Sequence, residues 1–160
     1  MPRKLRYRLD LGGRTIAGPR DGWSVRSLSA EDVDRLAGLM LDAYVGTIDY
    51  DDETLEDAVE EVRQFFASGN AVPDRSFAVV EDGRIISAIL VSLVDDEPFV
   101  SYVMTLPTHK ERGLARLVTE IAMGQLAADG YVRATLYITE GNVASEALFR
   151  SLGAVLIEDD

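Results

Sequence analysis

Lys110, Arg112, Gly113 and Ala115 fall within six residues, where a β-type run from Val100 to Thr105 gives way through Leu106-Pro107 to a helical pattern. A strand-to-helix turn of this kind aims several backbone N–H groups without intrahelical acceptors at one point, and the helix dipole adds partial positive charge. A phosphate or pyrophosphate fits there without a cage of side chains. Gly113 permits close approach to the main chain and Ala115 keeps the first turn slim. Lys110 and Arg112 stand where charge-assisted bonds to phosphate oxygens form. The competing interpretation is a plain loop entering a helix with surface cations. Sites for magnesium nucleotides or dinucleotides fit worse, because the chain has no Gly-Lys-Ser/Thr and no Gly-x-Gly-x-x-Gly.

The elements that must position this turn are legible in the periodicity. Leu5 to Leu11 alternates apolar and polar residues and breaks at Gly12-Gly13, which predicts a half-exposed strand over 5–11. Gly18 to Gly22 is a turn-rich joint, and Trp23 to Leu28 a second strand. Ser29-x-x-Asp32 resembles a capping box ahead of a helix to Tyr44, with Val33, Leu36, Ala37 and Met40 on its apolar face. A second helix carries Leu55, Val59, Val62 and Phe66 on one stripe. Runs over 76–80 and 84–94 are joined by Asp82-Gly83, a hairpin signal. Asp95 to Pro98 turns into a strand over 99–106. A central helix over Leu114 to Leu126 follows, then a strand over 132–139, a last helix between Asn142 and Gly153, and a short strand over 154–158. The order β, β, α, α, β, β, β, α, β, α, β predicts a mixed α/β domain.

Composition removes whole classes of function. The chain has 160 residues, enough for one domain with a substantial core. It has no cysteine, so disulfides, thiolate metal sites and a cysteine nucleophile are out, and its lone histidine, His109, rules out a multi-histidine metal site. His109 lies in a loop beside the phosphate turn and is read as a solvent-facing surface residue rather than a base. The longest nearly apolar stretch, Ile85 to Val94, is half the length of a membrane-spanning helix, so no membrane association is expected, and the compartment expected is the cytoplasm.

Net charge is −12, unevenly placed: residues 1–26 carry seven basic and two acidic side chains, the remainder nine and 26. The acidic body disfavours nucleic acid and favours encounter with a cationic substrate such as an amine, or serves only solubility. The run Asp49-x-Asp51-Asp52-Glu53-x-x-Glu56-Asp57-x-x-Glu60-Glu61 has the same two readings, steering an amine or solvating the outer face of the second helix. The basic N-terminal segment, taken by itself, suits an anchor for a nucleic acid or an acidic protein.

Two motifs together carry a family resemblance. Pro107-x-x-Lys110-x-x-Gly113-x-Ala115 resembles the acetyl-CoA signature of the GNAT N-acetyltransferase superfamily. Asn142-x-x-Ser145-x-x-Leu148-Phe149-x-x-Leu152-Gly153-Ala154 is similar to the same family's closing segment. The resemblance implies an α/β (α+β) fold with a mixed central sheet, mostly antiparallel with one parallel, splayed strand pair, flanked by about four helices. Residues 1–22 are then a basic extension holding an extra strand of the same domain, and 23–160 the acetyltransferase domain.

The function so implied is transfer of an acetyl group from acetyl-CoA directly to a primary amine, cationic in character, with no metal and with a homodimer as the default assembly. In that scheme Lys110, Glu111, Arg112, Gly113, Leu114 and Ala115 hold the pyrophosphate, and the main chain of Val103, Met104 and Thr105 pairs with the pantetheine arm where two strands splay apart. Asn142 contacts the cofactor, caps the last helix, or does both. Glu140, beside Thr139 at the end of its strand, is the candidate base, and Tyr44 and Tyr50 line the acceptor pocket.

Departures from the family pattern sharpen the question. Lys110 stands where Arg or Gln is usual. Phe149 stands where many members carry the Tyr that protonates the leaving thiolate, and a phenyl ring has no proton to give. That substitution motivates the alternative of a CoA-binding module without transfer activity, acting as a sensor or interaction subunit. Members of the family usually carry two strands after the last helix, whereas residues 154–160 have room for one. Either the N-terminal strand covers the sheet edge so exposed, or a second subunit does.

Overall fold

The computed structural model describes residues 3–15, 23–45, 47, 50, 52–110 and 112–157. The joint at 18–22, Asp49 and Asp51 of the acidic run, Glu158 and the expected phosphate-site residue Glu111 lie outside the described residues. The elements are β1 (Lys4–Asp10), β2 (Ser24–Ser27), α1 (Val33–Tyr44), α2 (Leu55–Ala67), β3 (Phe77–Glu81), β4 (Arg84–Val94), β5 (Glu97–Thr105), α3 (Leu114–Ala128), β6 (Arg133–Thr139), α4 (Val143–Ser151) and β7 (Val155–Ile157). Their order is the one the periodicity predicts.

Local chemistry accounts for most boundaries. The β3–β4 turn holds Asp82 at φ 51° and Gly83 at 77°, and the β4–β5 turn holds Asp95 at 52° and Asp96 at 62°. Two successive positive φ values match the right-handed twist of the flanking strands, which is why both hairpins need only two residues. Glu97 and Pro98, expected in the second turn, are already in β5. The Ser29–Asp32 capping box is present, but it closes a single 3-10 turn, Ala30–Asp32, and the α-helix starts one residue later. Thr54 and Asp57 form a second capping box at the start of α2.

The sheet order is β2-β3-β4-β5-β6-β1-β7. All pairs are antiparallel except β5–β6. β1 is therefore not an edge cover. It lies inside the sheet, with Tyr7 opposite Leu136 of β6 and Leu156 of β7, and the edge falls to β7 instead. Because β6 and β7 both run against β1, they run parallel to each other, and the crossovers through α3 and α4 go to the same face in the usual right-handed sense. Arg116 at the start of α3 accordingly donates to Ser151 Oγ of α4 at 2.6 Å. Arg14, just beyond β1, donates to the Leu152 carbonyl at 2.6 Å, satisfying a group at the C-terminal end of α4.

The opposite face carries α1 and α2. Arg26 of β2 grips the buried Asp32 with two bonds of 2.9 and 2.8 Å and fixes the start of α1. α1 buries Leu36, Ala37, Leu39, Met40 and Ala43. α2 meets its neighbours through Ala58, Val62 and Phe65, so its seam is rotated from the expected stripe: Val59 and Phe66 are half-buried and Leu55 is 52% exposed. The apolar faces of β4 and α3 form the centre of the core, where Ile86, Ala88, Ile89, Leu90, Val118, Ala122 and Met123 are at most 1% exposed. Burying such a side chain is worth about 1.5–3 kcal/mol, so this layer is the rigid base from which the turn after β5 projects.

Candidate functional site

The site begins with an irregularity in β5. Its register against β4 runs Leu90 to Tyr102 and then Val91 to Val100, so Ser101 is an extra residue, and its hydroxyl meets that of Ser92 at 2.9 Å. Pairing of β5 with β6 consists of Phe99 with Thr135 and Val100 with Leu136. The bulge therefore falls where the pairing stops. A bulge bends its strand and increases the local twist. The last four residues of β5 consequently diverge from the end of β6, which leaves main-chain groups of one strand edge without a ladder partner across the gap.

Val103, Met104 and Thr105 lie on that diverging segment. Met104 is buried beside Ala88, and Thr105 Oγ1 meets Ser87 Oγ at 2.9 Å while Ser87 Oγ also donates to the Met104 carbonyl at 3.0 Å. These buried bonds tie the strand end to β4 and leave its other edge toward the gap. A 3-10 turn, Pro107–His109, leads to Lys110 in extended conformation and to Gly113 at φ 78° and ψ 16°. This left-handed conformation suits glycine, and Gly113 supplies no side-chain cap to α3. The first intrahelical bond runs from Leu117 N–H to the Gly113 carbonyl, so the amides of Leu114, Ala115 and Arg116 have no acceptor within the helix. Leu114 turns its side chain into the core at 1% exposure, Ala115 is half-buried, and Lys110 and Arg112 are exposed on the loop.

His109 differs from its expected place. It is not solvent-facing: its side chain is 15% exposed, with Nε2 at 3.1 Å from Glu81 Oε1 and Nδ1 at 2.8 Å from the Thr108 hydroxyl. Trp23 Nε1 donates to the other Glu81 oxygen at 3.2 Å. His109 first, then Trp23, with Arg112 adding field, hold the Glu81 carboxyl below the usual carboxylate range. The cluster fastens the loop at 107–110 to the end of β3, a long-range contact that no local spacing signals.

Asn142 caps α4 through a bond from the Ser145 N–H to its Oδ1 at 3.2 Å, and Phe149 on the same helix is 3% exposed. Glu140 is exposed, 3.5 Å from Arg3, with its N–H bonded to the Arg3 carbonyl at 2.7 Å. The structure thus brings the end of β5, the turn into α3 and α4 to one end of the sheet. Tyr50 directs its hydroxyl to the Glu53 carbonyl at 3.5 Å. Tyr44, half-buried at the end of α1, lies close enough to Tyr102 to influence its ionisation. The Tyr102 hydroxyl donates to Glu61 of α2. Burial, the Glu61 carboxylate and Tyr44 together hold the Tyr102 phenol well above its usual range, so it stays a donor. Tyr102 and Glu61 were hidden in sequence: one reads as an ordinary strand residue, the other as part of a solvated acidic run.

Among the described residues no group of three or more His, Asp or Glu side chains is placed to hold a metal ion, and no helix is long and apolar enough to cross a membrane.

The seven-stranded mixed sheet with one parted parallel pair, flanked by four helices, is the GNAT fold. The sequence profile of the acetyltransferase (GNAT) family matches residues 40–154, and the chain belongs to that family. Among solved structures, a GCN5-related N-acetyltransferase from Sphaerobacter thermophilus superposes with a TM-score of 0.76 at 16% identity, over 96% of this chain and 48% of its own. The chain thus spans about half the length of that relative. The PaiA N-acetyltransferase of Thermoplasma acidophilum, solved with coenzyme A, gives 0.68 at 15% identity, over 86% of this chain and 92% of its own. An aminoglycoside 6'-N-acetyltransferase from Acinetobacter haemolyticus gives 0.66 at 17%, over 86% and 94%. Identities this low speak for the shared fold alone. No curated protein sequence matches the chain.

Proposed function

We propose that the protein is an N-acetyltransferase that moves an acetyl group from acetyl-CoA directly to a primary amine of a small-molecule or peptide acceptor. The observation that carries this reading is the turn at 110–115, with its left-handed Gly113 and uncapped α3, opening beside the parted ends of β5 and β6. The residues fit the cofactor: a backbone cradle for a diphosphate, flanked by two cations, continuous with a strand edge that offers main-chain donors and acceptors.

Acetyl-CoA supplies the acetyl group as an activated thioester. In this reading Lys110, Arg112 and the amides from Gly113 to Ala115 bind the pyrophosphate, with Glu111 and Leu114 in the same segment. The main chain of Val103, Met104 and Thr105 orients the pantetheine arm, and Asn142 and Phe149 flank it from α4. Glu140, at the end of β6, takes the proton that an ammonium acceptor must lose before its nitrogen reacts. Tyr44 and Tyr50 line the acceptor side. The amine nitrogen bonds to the acetyl carbon as the carbon–sulfur bond breaks, and the coenzyme A thiolate leaves and takes a proton from water. Fixing the two reactants in one orientation supplies the acceleration without a dedicated acid, since well-oriented pairs gain about 7–11 kcal/mol over free encounter.

Thermal unfolding with coenzyme A, ATP, NAD or no ligand tests the binding half. Coenzyme A alone is expected to raise the midpoint, with a stabilisation of about 2.7 kcal/mol at a hundredfold excess over Kd. No shift with coenzyme A contradicts the assignment. Acetylation of a panel of primary amines tests the transfer half. Phe149, which brings no hydroxyl to α4, favours one second reading, a CoA-binding module that transfers nothing. Tight coenzyme A binding with no amine acetylated selects it.

A further inference from the structure

The acceptor side of the sheet carries a carboxylate held by a phenol, with no cation paired to it among the described residues. Tyr102 pairs with Leu90, and Phe99 with Ser92 two residues further along β4, so both rings project to the face that carries α1 and α2. The Tyr137 ring, 48% exposed, lies beside Phe99 with centroids 5.8 Å apart. α3 and α4 occupy the other face, and the phosphate turn opens α3 there. An acceptor meeting the gap between β5 and β6 from the side opposite the cofactor therefore passes Tyr102, Phe99 and Tyr137.

Two of the four acids of α2 are already engaged. Asp57 is committed to the Thr54 N–H at 2.9 Å, and Glu60 holds Arg63 at 3.1 Å and Gln64 at 3.2 Å. Glu61 instead turns toward the sheet, where one oxygen accepts from the neutral Tyr102 hydroxyl. Among the described residues no basic side chain pairs with Glu61, although it remains exposed. A carboxylate oriented by a phenol, beside aromatic faces and without a cation, matches an alkylammonium group in charge, donor count and affinity for π-surfaces.

Resting on the acetyltransferase reading above, we infer that Glu61, positioned by Tyr102, anchors a second positive charge on the acceptor, so that the preferred substrates are amines with two or more cationic groups. One amine reaches the gap between the strands while the other is held at Glu61. Tyr102 is a positioning residue, since it acts through Glu61. A monoamine lacks the second, anchoring ammonium, and an α-amino acid brings a carboxylate into an acidic approach.

Matched probes decide this: 1,5-diaminopentane and 1-aminopentane, equal in carbon count and differing by one ammonium. A charge-assisted pair implies a kcat/KM ratio of about 10- to 100-fold in favour of the diamine. Glu61→Gln should bring that ratio to within about threefold. Tyr102→Phe should raise KM for the diamine severalfold while leaving kcat near the original value, a split that a merely structural role would not produce. The coenzyme A thermal shift serves as the folding control for both variants. A ratio unchanged by Glu61→Gln, or no preference in the parent protein, overturns the inference. If neither amine is acetylated, calorimetric titration of the two amines into the coenzyme A complex still decides it. Diamine binding lost in Glu61→Gln supports the anchor, with the amine panel left to decide transfer, and no diamine binding refutes the anchor.

Discussion

The guanidinium of Arg150, on α4, sits 5.7 Å from the centre of the Tyr7 ring and donates to its hydroxyl at 3.4 Å. This contact spans nearly the whole sequence and clamps the helix before β7 onto the strand that separates β6 from β7. Since Tyr7 is 1% exposed and paired on both sides, β1 is structural rather than an appendage.

Tyr7→Ala should therefore lower unfolding free energy by about 3–5 kcal/mol, as expected for emptying an aromatic site in a core. Arg150→Ala should cost only about 0.5–1 kcal/mol, the scale of an exposed cation–π contact. Urea unfolding of the two variants measures both. In hydrogen exchange, the amides of β1 should be protected to the level of β6; exchange at free-peptide rates there contradicts the sheet order.

Gly113 concentrates the conformational demands of the turn into α3. An L-residue at φ 78° is strained by about 1–2 kcal/mol, so Gly113→Ala should lower stability by that amount. Gly113→Asp adds an anion where an anion should bind, and coenzyme A affinity should fall by at least about tenfold with the fold retained. Calorimetric titration with coenzyme A, alongside circular dichroism, separates the two effects. Undiminished affinity in Gly113→Asp removes the turn from the site.

Asp32 makes stability depend on pH in a defined sense. Its carboxyl is held below the usual range, chiefly by the bonds from Arg26 and further by the Ser29 N–H and by Arg35, against the cost of burial. A lowered folded pKa means that the stabilisation is fully present above the unfolded value near about 3.9 and is lost as pH falls through the folded value. Asp32→Asn should cost about 1.5–3 kcal/mol at pH 7. The difference between the parent and the variant should shrink on acidification below about pH 4. A gap that stays constant down to acid unfolding assigns the stabilisation elsewhere.

Phe149→Tyr probes whether α4 faces the cofactor. In the free protein the added hydroxyl enters a slot 3% exposed and should cost about 1–3 kcal/mol if it finds no partner there. A bound cofactor beside the ring would offer a partner, so coenzyme A should raise the midpoint of the variant by more than that of the parent. An equal or smaller shift takes Phe149 out of the cofactor site.

Much of the molecule was legible before any coordinates, and the legible part shares one property. The two hairpins, the start of α3 at Gly113, the capping box at Ser29 and the order of elements depend on φ preferences and apolar periods within a few residues, which the chain itself states. The turn into α3 belongs to this group because its unpaired amides are backbone groups of consecutive residues. What only the tertiary structure decided is partner choice. The insertion of β1 between β6 and β7 depends on which strands bury Tyr7 and Leu9 best, and the alternation of Leu5 to Leu11 is satisfied by any partner. The seam of α2 lies on Ala58, Val62 and Phe65 because the helix packs chiefly against α1, whose apolar face fixes its rotation, and a helical wheel does not show which neighbour that will be. His109 to Glu81, Arg26 to Asp32 and Tyr102 to Glu61 are pairings across chain separations that carry no periodic signal, so they exist only once the layers have packed.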